Sequence, residues 1–143
     1  MSEEKNFSIE LELLRNYEFK INFDLEGVDN LLVDEQPPTG EGKGPDAVRL
    51  VLAAVGTCLS ASLSFCLRRS RVEVKGLRTE VGGTIARNEE GRWRIKKIRA
   101  RVHPQVGEEQ RSHLERCVEI FEQYCIATQS IRQGIPVEVE VVR

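Results

Sequence analysis

An α+β fold, with helices laid against antiparallel sheets, is the architecture this 143-residue sequence predicts. Three observations carry that expectation. Segments at 7–14, 17–25, 72–87, 91–104 and 136–142 alternate apolar and polar residues with the period of half-buried strands. A run without any charge between Arg49 and Arg68 has the length of one long helix. A second stretch, 107–124, places Leu114, Cys117, Val118 and Phe121 at helical spacing. The length predicts one domain, 1–143, with room for a core that needs no disulfide staples.

In chain order, FSIELELL (7–14) and YEFKINFDL (17–25) flank Arg15-Asn16. They make a hairpin whose tight turn uses the tolerance of Asn for positive φ. LLVDE (31–35) adds a third strand. QPPTGEGKGP (36–45) holds too many prolines and glycines for regular structure and delivers the chain to the long helix. Pro45 and Asp46 open that helix, and Arg68, Arg69 and Arg71 close it with the charge a C-terminus prefers. The 72–87 strand follows, with a bulge or bend expected at Gly82-Gly83. After a turn at 88–91, GRWRIKKIRARVHP (91–104) pairs back. Trp93 and Ile95 share its core face, the alternation skips at Lys96-Lys97, and Pro104 ends it. The 107–124 helix has acids in its first turn and runs on, with a further turn or two, to Gln133. Gly134 stops it, and PVEVEVV (136–142) is a last strand. The expected order is βββ-α-ββ-α-β.

The stretch from Gly44 to Arg69 organises the rest. By length it qualifies as a membrane span, which needs about 20 apolar residues. Its composition argues against one, because Gly56, Thr57, Ser60, Ser62 and Ser64 dilute the leucines and the polar, strand-rich flanks have no division of labour across a bilayer. A helix buried on nearly every side of a soluble protein is the expectation. Small residues let other backbones approach it closely, and a second subunit is the natural source of cover that one small sheet does not supply.

The 21 basic and 23 acidic residues nearly cancel, giving a net charge of −2, so no overall field draws the chain to nucleic acid or a membrane surface. The row Arg92, Arg94, Lys96, Arg99 and Arg101 lacks aromatics on its own face. It reads as a solvated sheet face that blocks edge pairing, not as a platform for bases. MSEEKNFSIE carries charges where a signal peptide has its apolar region, so a cytoplasmic location is expected. There thiols are kept reduced, and four cysteines are expected to be reactive or simply buried, not a structural framework.

Cys58, Cys66, Cys117 and Cys125 form two pairs of equal spacing, eight residues apart within each helical segment. That spacing turns about 80° around a helix, so the members of each pair are only loosely on one face. No C-x2-4-C knuckle is present, and no metal is expected. His113 and Cys117, four apart, permit a shared ligand or a lowered thiol pKa. The blander alternative is a solvated histidine beside a core cysteine, and Cys66 likewise reads as a small hydrophobe. Cys58 follows AAVGT, whose small residues leave room for another group to reach the sulfur. Cys125 lies near a helix end in EQYCIATQS. The two are either a redox couple or inert buried thiols.

DEQPPTGEGKGP followed by VRLVLAAVGTCL, with EQYCIATQSIRQGIPVEVEV near the C-terminus, resembles the OsmC/Ohr family of organic hydroperoxide reductases over nearly the whole chain. The resemblance implies an OsmC-like α+β fold: an intertwined homodimer with antiparallel sheets around long central helices. It also implies a cytoplasmic peroxidase of the oxidative stress response that uses no cofactor. Cys58 matches the cysteine that attacks the peroxide and becomes a sulfenic acid. Cys125 matches the one that condenses with it to a disulfide, which a dithiol such as a lipoyl group then reduces. The family activates the thiolate with an arginine from the N-terminal region, and Arg15 is the candidate here. The glutamate that holds that arginine stands ten residues before the first cysteine, where this chain has Val48, leaving Glu35, Glu41 or Asp46 as available substitutes. That departure gives weight to a second reading, a non-catalytic dimer that binds a small hydrophobic or thiol-bearing ligand around Cys58.

Overall fold

The first fifty residues build a small antiparallel sheet around a hairpin. The structure, a computed structural model, describes residues 3–143, which fall into two compact units divided between Leu50 and Val51. In the first unit β1 (Glu10–Arg15) pairs with β2 (Glu18–Asn22), and β2 pairs with β3 (Leu31–Val33), all antiparallel. Asn16 takes φ 50° at the hairpin turn, the left-handed conformation expected of it. The register shifts between Leu13 and Arg15, so that Arg15 faces Glu18 directly across the turn. Ile21 and Val33 are buried, whereas Leu11 and Leu13 of β1 are more than half exposed.

The loop after β3 is ordered by one carboxylate. Asp34 is buried and accepts backbone N–H bonds from Glu35 (2.8 Å), Lys43 (3.1 Å) and Glu41 (3.3 Å). Burial pushes this carboxyl up, but the three N–H donors and the Lys43 charge outweigh it and hold the group below the usual carboxylate range. The bonds fold 35–44 into a tight excursion that ends at Asp46, the cap of the long helix α1 (Ala47–Arg69). Asp46 Oδ1 accepts the Arg49 N–H at 3.0 Å, and its other oxygen pairs with the Arg49 guanidinium at 2.9 Å.

The second unit holds the larger part of α1 and a long two-stranded antiparallel ribbon, β4 (Gly76–Arg87) with β5 (Trp93–Gln105). The small residues of α1 act as anticipated. A Cβ on Gly56 would lie 2.8 Å from Val81 Cγ2, and Ser60 Oγ is 2.6 Å from Thr79 Oγ1. Gly82 and Gly83 are not a bulge: they pair in register with Arg99 and Ile98, and Gly83 is small because Leu52 of α1 packs on it. The irregularity lies one step on, where Lys96 is the extra residue opposite Thr84 and Ile85. Trp93 is not in the core. It is 54% exposed, with the Arg87 guanidinium stacked 4.4 Å from its ring. Nor does Pro104 end β5, since it pairs with Leu77 inside the ladder.

After the ribbon come a single 3-10 turn at 108–110, α2 (Arg111–Ile120), a second 3-10 turn at 121–124 and α3 (Ile126–Gln133). Cys125 breaks the path with extended backbone (φ −81°, ψ 101°), which makes it the cap of a new helix and not the end of an old one. Gly134, at φ 79°, ends α3 as expected. Residues 136–142 form no strand: their valines 137, 139 and 141 are 73–83% exposed and have no ladder partner among the described residues. The core joins Val55, Leu59, Leu63 and Leu67 of α1 to Val72, Cys117, Phe121 and Cys125. Ala54, Ala61 and Phe65 on the other face of α1 are exposed.

Candidate active site

Cys58 and Cys125 are brought together by the break between the second 3-10 turn and α3. Cys58 is half-buried near the middle of α1, and Cys125 is fully buried; both are free thiols. Because Cys125 caps α3, the next two residues point unpaired N–H groups outward, as the first turn of any helix does. The Ala127 N–H donates to Cys58 Sγ at 3.4 Å. Cys58 thus sits on the positive end of a helix supplied by another segment of the chain.

The electrostatics separate the two thiols. Burial pushes Cys58 up, but the Ala127 N–H, the Cys125 thiol, the Ile126 N–H and the Ser62 hydroxyl all favour its charged form, and it titrates below the ordinary thiol range. Cys125 moves the other way. Burial raises it first, Thr128 (Oγ1 3.0 Å from Cys125 Sγ) opposes in part, and the neighbouring Cys58 raises it again. The surroundings favour ionisation of Cys58 over that of Cys125. Two of the four groups that lower Cys58 are backbone N–H groups, which leave no residue-type signal.

A cavity of about 790 Å³ opens onto this site. Its lining is mostly apolar, with Phe65, Ile120, Tyr124 and Ile126 beside Cys58 and Cys66. A second cavity, of about 470 Å³, lies toward the start of α1 against β5 and has no thiol in its lining.

Cys66 and Cys117 are not the reduced, inert residues the sequence led one to expect. They form a disulfide between α1 and α2, with their Cα atoms 5.8 Å apart. This also removes Cys117 from any pairing with His113. The equal spacing of the four cysteines explains it. Stepping eight residues forward from Cys58 on α1 matches stepping eight residues back from Cys125, so two segments running antiparallel bring both pairs into register. Spacing within each helix, which the sequence shows, hid the pairing between helices.

Arg15 lies in the first unit. Its guanidinium is 64% exposed and 3.7 Å from Glu18, whose other oxygen is 3.6 Å from Lys43 Nζ. Glu18 is buried, and that second oxygen makes no hydrogen bond. The carboxylate that accompanies Arg15 is therefore Glu18, not Glu35, Glu41 or Asp46. Glu41 pairs with Lys43 at 3.0 Å, and Asp46 is committed to the helix cap. The missed signal was the two-residue turn itself, which sets residues 15 and 18 opposite each other.

The sequence model of the family described as OsmC-like protein matches residues 40–140. The chain belongs to the OsmC family. Its fold is that of the OsmC-like proteins of known structure. One from Vibrio cholerae, of unknown function, superposes with a TM-score of 0.76 at 16% identity, covering 89% of this chain and 94% of that one. An organic hydroperoxide resistance protein OsmC from Legionella pneumophila gives 0.67 at 13% identity, covering 92% of each chain. The organic hydroperoxide resistance protein OhrB of Bacillus subtilis gives 0.60 at 16% identity, covering 90% and 91%. Among curated protein sequences there is no match. Some members of this OsmC/Ohr group are thus named for hydroperoxide resistance, and at these identities they establish the shared fold for this chain.

Proposed function

We propose that this OsmC family protein is a cysteine-based peroxidase that reduces organic hydroperoxides in the cytoplasm. The observation that carries the reading is a free Cys58 whose sulfur accepts the Ala127 N–H at 3.4 Å from the start of the helix that the free thiol Cys125 caps. The Cys58 thiolate attacks the terminal peroxide oxygen. The O–O bond breaks, the alcohol leaves after taking up a proton, and Cys58 becomes a sulfenic acid. Cys125 then attacks that sulfur, water leaves, and a Cys58–Cys125 disulfide closes, which prevents oxidation from going further. A dithiol, of the lipoyl type by family resemblance, restores both thiols. Arg15, accompanied by Glu18, is the cation that further activates the Cys58 thiolate, delivered within one chain or from a second.

A homodimer belongs to this reading. The exposed leucines of β1 and the valines 137, 139 and 141, unpaired among the described residues, are surfaces that a second copy covers.

The test treats protein with Cys58 and Cys125 reduced with one equivalent of cumene hydroperoxide and maps disulfides by mass spectrometry. A rapid Cys58–Cys125 bond with stoichiometric alcohol is expected. If Cys58 stays a thiol, the second reading takes its place: a non-catalytic dimer holding a small hydrophobic or thiol-bearing ligand. The apolar lining of the cavity and Val48 at the family's glutamate position are what favour it.

A further inference from the structure

The Cys66–Cys117 bond has no part in the cycle above, yet one of its sulfurs faces the same cavity. Cys66 is half-buried and lines the cavity with Cys58, whereas Cys117 is fully buried behind it. We propose that Cys66–Cys117 is a second thiol–disulfide exchange site, opened by a small dithiol that enters the cavity and attacks Cys66, and that its closure holds Cys125 beside Cys58.

The chemistry is set by which sulfur can be reached. A thiolate from the cavity forms a new S–S bond with Cys66 Sγ, and the Cys66–Cys117 bond breaks. Cys117 leaves as a thiolate in a buried site, where the anion is disfavoured unless a donor is at hand. Ser70 Oγ lies 4.0 Å from Cys117 Sγ and supplies that donor before a proton arrives. The second thiol of the same dithiol then attacks its own sulfur on Cys66. The dithiol departs as a disulfide, and Cys66 and Cys117 are left as thiols. The reverse exchange, with the oxidised form of the same reagent, closes the bond again. Arg69 stands in the cavity wall near Cys66, stacked 5.7 Å from the Phe65 ring, and its charge favours the approach of a thiolate. The two cysteine pairs do not exchange with each other in place, because eight residues along α1 separate them by about 12 Å. A mobile dithiol reaches both from one opening.

The coupling follows from the order of elements. Cys117 lies in α2, and only the 3-10 turn 121–124 separates α2 from Cys125. The disulfide is the covalent link between α1 and α2, so closing it limits how far Cys125 and the N–H groups of α3 can move from Cys58. When it opens, noncovalent packing alone holds them, and the donors that favour the Cys58 thiolate are less constantly in place.

The experiment does not depend on peroxide reduction, so its failure and the failure of the peroxidase reading are separable. The folded full-length protein is titrated with dihydrolipoamide, quenched in acid, and its thiols are counted by differential alkylation and mass spectrometry. Cys66 and Cys117 are expected to become alkylatable while circular dichroism stays native. A bond that survives until the protein unfolds overturns the exchange site. With limiting glutathione, the mixed disulfide is expected on Cys66 in at least about tenfold excess over Cys117, following access. Equal amounts overturn the direction of attack. Finally, the rate of Cys58 alkylation by iodoacetamide is compared with the second bond open and closed. A several-fold slower rate in the open form is expected, and equal rates overturn the coupling. All three measurements use the unmutated chain, so no variant has to fold.

Discussion

The two cysteine pairs of this protein occupy the same pair of chain segments at the same spacing, yet the structure gives them opposite states. Cys66 meets Cys117 where regular α1 passes regular α2, and the two sulfurs are bonded. Cys58 meets Cys125 where the second segment leaves helical geometry, and the sulfurs remain separate thiols. What differs is the backbone around them. A cysteine inside a helix is surrounded by N–H groups already used in the i to i−4 ladder, so no free donors are directed at its sulfur. At the Cys125 break the first N–H groups of α3 are unused and directed at Cys58, and they favour a thiolate. Identical residue types at identical spacing become a bonded staple in one place and two free thiols in the other because one helix was interrupted.

The sharpest way to break that contrast is to remove one sulfur from each pair. In the peroxidase reading, Cys58→Ser lowers hydroperoxide turnover at least about 1,000-fold, because the attacking group itself is gone. Its half-buried position keeps the stability loss within about 1 kcal/mol. The outcome to check is peroxide consumption beside a urea midpoint; turnover that survives takes Cys58 out of the mechanism. The double variant Cys66→Ser/Cys117→Ser has the converse profile. The bond spans 51 residues of sequence, a loop whose closure entropy stabilises the fold by about 2–4 kcal/mol. Denaturant unfolding should reveal that loss, and a midpoint equal to the parent's would show that the bond constrains little.

A subtler change tests the cause assigned to the difference. Ile126→Pro deletes one N–H aimed at Cys58 without forbidding the helix, since Ile126 is the first residue of α3 and Cys125 before it is already extended. Alkylation at pH 7 should slow several-fold at Cys58 as its midpoint moves up toward that of a free thiol. No shift in the pH profile would mean the helix end is not what favours the thiolate. The parent protein already makes a pH prediction with opposite signs for the two sulfurs. The folded Cys58 value lies below the unfolded one, about 8.5. Its ionisation therefore adds stability that is full above that pH and is lost as pH falls through the folded value. Cys125 is raised, so its contribution is reversed: stability falls as pH rises above the unfolded value.

Much of the fold was legible in the sequence because it rests on periodicity. The hairpin at Asn16, the third strand, the C-terminal end of α1 and the skip at Lys96 all follow from patterns of side chains along one segment. What escaped depended on contacts between segments. Gly82-Gly83 carried a turn signal, but its smallness serves Leu52 of α1. Trp93 had the alternation of a core residue, but at the end of the ribbon it stays more than half exposed with the Arg87 guanidinium stacked on its ring. Residues 136–142 alternate as a strand should, and a strand also needs a neighbour. At the site, residue types pointed to Cys58 and Cys125 but not to the donors around them, since the N–H groups of Ile126 and Ala127 belong to every residue alike.

The smallest expected effect is also the most specific. Ser62 lies one turn beyond Cys58 on the same helix, and its hydroxyl is the last of the groups acting on that thiol to lower its pKa. Ser62→Ala removes a side-chain donor while leaving the backbone donors and the disulfide untouched, and alanine costs the helix nothing. Cys58 alkylation at neutral pH should slow by no more than about fivefold, roughly one hydrogen bond. The Cys66–Cys117 bond should open at the same dithiol concentration as in the parent. If that bond opened more easily instead, Ser62 would be acting through the packing of α1 on α2, and the two pairs would be less separate than their local backbones suggest.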